Sequence, residues 1–142
     1  MAVLGGLTVC ARRIGEVLLV TAGGLFTLSN ARELRTFVRL EVQREDARAA
    51  IVDMRGAVHL LTEEGWTHLA ADSVAAARET KAIRLPVAIV VDAGAIGPMR
   101  VHCRSLAKHG LLRMAFTEYA RASSWASRRM EHWESLPAPP SH

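Results

Sequence analysis

The side chains best suited to metal ligation or nucleophilic catalysis in this 142-residue chain are six histidines (His59, His68, His102, His109, His132 and His142) and the thiols of Cys10 and Cys103, and they are dispersed. Only Glu64 and His68 share a helical face at i,i+4, and two ligands do not make a zinc site, so no metal is expected. Cys103 falls on the inward face of a predicted helix, where a thiol is structural rather than reactive. Neither GxxxxGK[ST] nor GxGxxG occurs, and Gly94, Gly97 and Pro98 after a strand read as a βα turn rather than an anion site. Asp53 and Asp92 each end a buried strand, where α/β sheets place functional carboxylates; either could equally cap a loop. No triad signature accompanies them. The expectation is a protein with no catalytic residue and no cofactor.

Positioning any site requires a folded scaffold, and the composition provides one. Half of the residues are apolar, 23% are charged and the net charge is +4. That suits a single domain able to remove about 70% of its unfolded surface from water. Two cysteines in a chain large enough to stabilise itself argue against a disulfide framework and for a reducing compartment, the cytoplasm. No apolar run approaches the roughly 20 residues of a membrane-spanning helix, since the strongest, 86–91, stops at Asp92. The opening MAVLGGLTV has no basic residue ahead of its apolar stretch, unlike a secretory signal. The arginines are scattered among acidic residues, which argues for a mixed solvated surface and against nucleic acid as partner.

Periodicity predicts a hairpin of residues 8–12 and 16–22 turned at Gly15. A first helix follows over 31–44, capped by Asn30 with Glu33, burying Leu34, Phe37, Val38 and Val42. Residues 49–52 form a short buried strand ending at Asp53, followed by a loop through Gly56. Thr62 caps a second helix, with Glu63 and Glu64 in its first turn and Trp66, Leu69, Ala70, Val74 and Ala77 inward as far as Thr80. A strand at 85–91, a helix opened by Gly97-Pro98 with Met99, Cys103, Leu106 and Ala107 inward, and a left-handed stop at Gly110 come next. A strand at 111–116 and a last helix burying Ala122, Trp125 and Ala126 complete one domain over 1–131. A Pro-rich tail at 132–142 is expected to be unpacked. The predicted fold is α/β: a mostly parallel sheet opened by an antiparallel edge hairpin, with about four helices.

The order of these pieces resembles a known family. Gly24-Leu25-Phe26-Thr27-Leu28-Ser29-Asn30-Ala31-Arg32-Glu33-Leu34-Arg35 is similar to the segment by which STAS domains (sulfate transporter and anti-sigma-factor antagonist) enter their first helix. Ile51-Val52-Asp53-Met54-Arg55-Gly56 resembles the family's strand ending in Asp-Leu-Ser-Gly, and Leu61-Thr62-Glu63-Glu64-Gly65 falls at its Asp-Ser-Ser-Gly switch. Residues 106–116, with Ala122 and Trp125, resemble its closing helix, strand and helix, so the likeness spans 9–129. The resemblance implies a non-enzymatic bacterial regulatory domain. Its partner would be a protein, such as a switch kinase or a larger signalling complex, and phosphorylation of the switch serine abolishes docking in that family.

The implied contact residues are Gly24, Thr27, Ser29, Asn30, Asp53, Gly56, Thr62, Glu63 and Glu64. Here Glu64 stands at the phospho-acceptor serine, Glu63 at the serine before it, Thr62 at the switch aspartate, and Thr27 at the aspartate of the first loop. A phosphoserine carries about −1.5 to −2 charge, whereas Glu64 carries one fixed unit. Glu64 then either mimics the modified state or simply complements the helix dipole. The alternative reading is a small apolar-ligand or lipid-binding domain in which the loop at 57–61, with Ala57, Val58 and Leu61, opens in front of Trp66. A homodimer through a sheet edge or the last helix is compatible with the sequence.

Overall fold

The structure, a computed structural model, describes residues 1–80 and 84–135. Its elements are β1 (Ala2–Leu4), β2 (Leu7–Ile14), β3 (Val17–Phe26), α1 (Leu28–Glu45), β4 (Ala49–His59), α2 (Glu63–Thr80), β5 (Val87–Val90), α3 (Ile96–Ala107), β6 (Arg113–Phe116) and α4 (Tyr119–Ser135). The strands form one sheet in the order β1-β2-β3-β4-β5-β6. The first three are antiparallel, and β3 through β6 run parallel. Helices α1, α2 and α3 make the three crossovers, and their inward residues share one core with the sheet: Leu34 and Val38, Leu69, and Met99 and Cys103 against Leu18, Val20 and Val52. The other face is covered by α4, whose Ala122, Trp125 and Ala126 meet Ala49, Ile51, Ala88 and Val90. The fold class expected from the sequence is therefore the one observed, with β1 as an additional edge strand.

The hairpin turns at Gly15, which sits at φ 61° in the left-handed region that glycine enters without steric cost. Gly24 is held more tightly: at φ 110° a Cβ would lie 2.2 Å from the Gly6 carbonyl oxygen, to which the Leu25 N–H donates at 2.9 Å.

Three sequence expectations are corrected. The first helix begins at Leu28, not Ala31, and its N-cap is Thr27 rather than Asn30. The Thr27 hydroxyl accepts from the Asn30 N–H at 3.3 Å while the Asn30 side-chain oxygen accepts from the Thr27 N–H at 2.8 Å, so Asn30 takes the place expected for Glu33 in the capping box. The expected short strand and loop at 49–56 are instead one strand of 11 residues. Gly56 lies inside it, opposite Gly23, just past a bulge where Met54 and Arg55 face Ala22 alone. A glycine within a strand marks such a bulge as readily as a turn. In α3 the inward stripe is Met99, His102, Cys103 and Leu106, the i, i+3, i+4, i+7 pattern of a helix face, while Ala107 in the last turn is exposed.

Helix α2 starts as expected: the Gly65 N–H donates to the Thr62 hydroxyl at 3.1 Å. Helix α4 continues to Ser135, and residues 136–142 of the expected tail lie outside the described residues.

Candidate functional site

In a parallel sheet the carboxyl ends of the strands and the turns that leave them form one rim, the usual place for a site. Here that rim is made by Phe26-Thr27 after β3, His59 to Thr62 after β4, and Asp92 after β5. On it, Leu25 and Val58 are register partners in neighbouring strands and are 47% and 57% exposed. Leu60, whose N–H donates to the Phe26 carbonyl at 2.9 Å, is 53% exposed. The chain then enters α2 through exposed Glu63 and Glu64, the latter's carboxylate 3.5 Å from His68 Nε2.

The residues singled out from sequence divide into two sets. Gly24, Thr27, Asn30 and Thr62 are engaged in holding the backbone: Gly24 by its close approach to Gly6, the other three by capping. Asn30 is 2% exposed and also donates from Nδ2 to the Leu25 carbonyl at 2.6 Å. Ser29, Gly56, Glu63 and Glu64 are exposed. Asp53 accepts from the Arg55 backbone N–H at 3.1 Å and from its guanidinium at 3.0 and 2.8 Å. Those bonds, the guanidinium's first among them, hold its carboxyl below the usual range. Asp92 is exposed and makes no side-chain capping bond to the 3-10 turn at Ala93–Ala95 that precedes α3. Among the described residues no group of three or more His, Cys, Asp or Glu is placed to hold a metal ion.

Beneath the rim lies an aromatic cluster. Phe26 meets His59 edge-on at 5.3 Å between centroids, His59 stacks on Trp66 at 6.2 Å, and Trp66 meets His102 at 5.1 Å. Both ring nitrogens of His59 and Nδ1 of His102 are buried without a hydrogen-bond partner among the described residues. Burial lowers the His59 pKa. Burial, with the nearby Arg113 guanidinium, brings that of His102 down to about 4. Both imidazoles are therefore neutral at pH 7.

The apolar-ligand expectation needs correction in its location. Residues 57–59 are strand, not an opening loop: Ala57 is buried, Val58 points outward beside Leu25, and Leu61 is half-buried. The cavity present, of about 270 Å³, lies instead between α1, α2, α3 and the sheet, and of the four expected residues only Trp66 lines it. Trp66 and His102 also line a shallower groove between α2 and α3, which Leu61 reaches. Sequence reasoning missed His102 and Arg113 on the cavity wall. The signals were present: His102 is three residues from Met99 and four from Leu106, and Arg113 alternates with buried Ala115 on β6.

No family model matches this sequence, and no curated protein is similar to it. Its fold is nevertheless shared. The solved structure of an uncharacterized protein from the DUF3478 family with a SpoIIAA-like fold, from Shewanella loihica PV-4, aligns with a TM-score of 0.51 at 18% identity. The alignment covers 89% of this chain and 98% of that one. The six-stranded sheet, its antiparallel edge and the four α-helices among the described residues are thus the SpoIIAA-like α/β fold.

Proposed function

We propose that this chain is a non-enzymatic protein-docking domain of the anti-sigma-factor-antagonist type, acting in a bacterial cytoplasmic regulatory pathway on a switch kinase or a larger signalling complex. The observation that carries this reading is the exposed apolar group of Leu25, Val58 and Leu60 running into the acidic turn of Glu63 and Glu64. Apolar surface rimmed by charge is the usual form of a protein contact, the apolar part supplying affinity and the charge choosing the partner. The fold supports it, and so do the free thiols of Cys10 and Cys103. Glu64 makes the charge at the switch position permanent, so the partner surface it meets is basic and its docking does not cycle with phosphorylation there.

Affinity capture from a native bacterial lysate tests this with wild type, Leu60→Asp and Glu64→Lys, all checked for unchanged melting. Recovery of a defined partner by wild type and its loss from both variants is the expected result. Equal recovery by all three would remove the rim from the contact.

A further inference from the structure

The cavity between the three crossover helices and the sheet has an apolar body and a cationic wall. Phe26, Met54, Trp66 and Met99 supply the body. Arg113, entering from β6, lines it as well, and among the described residues its hydrogen bonds leave from Nη1: to the Leu85 carbonyl at 2.6 Å and the Leu112 carbonyl at 3.1 Å. The Nε and Nη2 side of the guanidinium, the edge that meets a carboxylate with two parallel bonds, has no protein acceptor among the described residues. No carboxylate forms an ion pair with Arg113 among the described residues, and the ionisable side chains beside it include Cys103 and the neutral His102. Burial holds that thiol protonated, with a pKa of about 12, so it does not neutralise the cation. Arg113 is half-buried, and a partly desolvated guanidinium edge without an anion gains from one bound there. Arg35 and Arg39 of α1 and Glu79 of α2 also line the cavity, so three guanidiniums stand against one carboxylate. His102, 8% exposed and with Nδ1 unpartnered, adds a neutral polar group to the same wall.

We infer that this cavity is a binding site for a small monocarboxylate with an apolar tail, its carboxylate on the Nε and Nη2 edge of Arg113 and its tail among Phe26, Met54, Trp66 and Met99. The volume sets the size. A dry cavity of about 150 Å³ holds benzene, so 270 Å³ holds roughly ten or eleven non-hydrogen atoms, the size of octanoate. The cavity meets the docking rim at Phe26 but is lined by none of the exposed contact residues Leu25, Val58, Leu60, Glu63 and Glu64, so neither reading falls with the other.

The test is calorimetric titration of the full chain at neutral pH with octanoate, 1-octanol, octylammonium and octyl phosphate. ¹³C-methyl spectra of methionine are recorded alongside. Octanoate is expected to bind at least about tenfold more tightly than octanol, with octylammonium not binding. The methyl signals of Met54 and Met99 should shift while that of Met114, on the outer surface, stays in place. Arg113→Met is expected to abolish the preference for octanoate while retaining octanol. Because the wild-type ligand series carries the claim by itself, a variant that fails to fold leaves the test intact. Equal affinity for octanoate and octanol, tighter binding of octyl phosphate than of octanoate, unchanged Met54 and Met99 signals, or octanoate binding undiminished in a folded Arg113→Met would each overturn the assignment.

Discussion

Asn30 provides the most discriminating stability prediction, because its two roles respond differently to one substitution. As the third residue of α1 it accepts the Thr27 N–H through Oδ1 at 2.8 Å, and through Nδ2 it donates to the Leu25 carbonyl at 2.6 Å from a site 2% exposed. Asn30→Ala removes both bonds and leaves a part-buried donor and a part-buried acceptor unpaired. At about 1 kcal/mol per neutral bond plus desolvation of the stranded groups, the cost is about 2–4 kcal/mol. With an unfolding entropy near 2.1 cal/mol/K per residue, a chain of this length loses roughly 3 °C of melting midpoint per kcal/mol, hence about 6–12 °C. Asn30→Asp separates the roles. If the side chain served only the helix start, Asp would cap as well as Asn and gain from the dipole. The structure instead places a carboxylate oxygen against the Leu25 carbonyl, so Asn30→Asp should melt well below wild type. Thermal and urea unfolding, with unchanged m-values, measure both variants. A midpoint for Asn30→Asp at or above that of wild type would refute the inferred link between β3 and α1.

Other outcomes are equally specific. Gly24→Ala should fail to accumulate as folded protein in a solubility and circular-dichroism assay, since its Cβ would meet the Gly6 carbonyl at 2.2 Å in a backbone conformation at φ 110°; wild-type stability would contradict this. Trp66→Ala should cost about 3 kcal/mol in urea unfolding, because the ring joins Phe26, His59 and His102 and lines both the cavity and the groove. An unchanged transition would show that the cluster is not a packing centre. His102 has a folded-state pKa of about 4 against about 6.5 when unfolded, so the unfolded chain binds more protons between those values. Its stabilising contribution is therefore present above pH 6.5 and is lost as pH falls toward 4. The loss reaches at most about 3 kcal/mol, and His102→Gln should flatten that slope in pH-dependent unfolding.

What could be read from the sequence was what is decided locally. The Gly15 turn, the Thr62 cap and the inward faces carrying Leu34, Cys103 and Trp125 follow from a few neighbouring residues, and all are observed. The start of α1 was misplaced because Thr27, Ser29 and Asn30 are all capping residues, and the choice among them is made by the Leu25 carbonyl. β4 was cut short because Gly56 has the local signature of a turn, whereas its partner is Gly23 on another strand. The cavity was placed in the wrong part of the chain for the same reason: Phe26, Trp66, His102 and Arg113 come from four different elements, and no single window contains them. The rim was half legible. Glu63 and Glu64 stood out through the resemblance and the helix start, while the exposure of Leu25, Val58 and Leu60 depends on which face of the bulged sheet they occupy.

The docking reading is tested most directly by hydrogen–deuterium exchange on the complex of this chain with its captured partner, compared with the free chain. Protection concentrated at Leu25, at 58–64 and in the first turn of α2, with exchange in α4 unaltered, is the predicted result. Protection confined to α4, or to the β1 edge, with 58–64 exchanging as in the free chain, would contradict it.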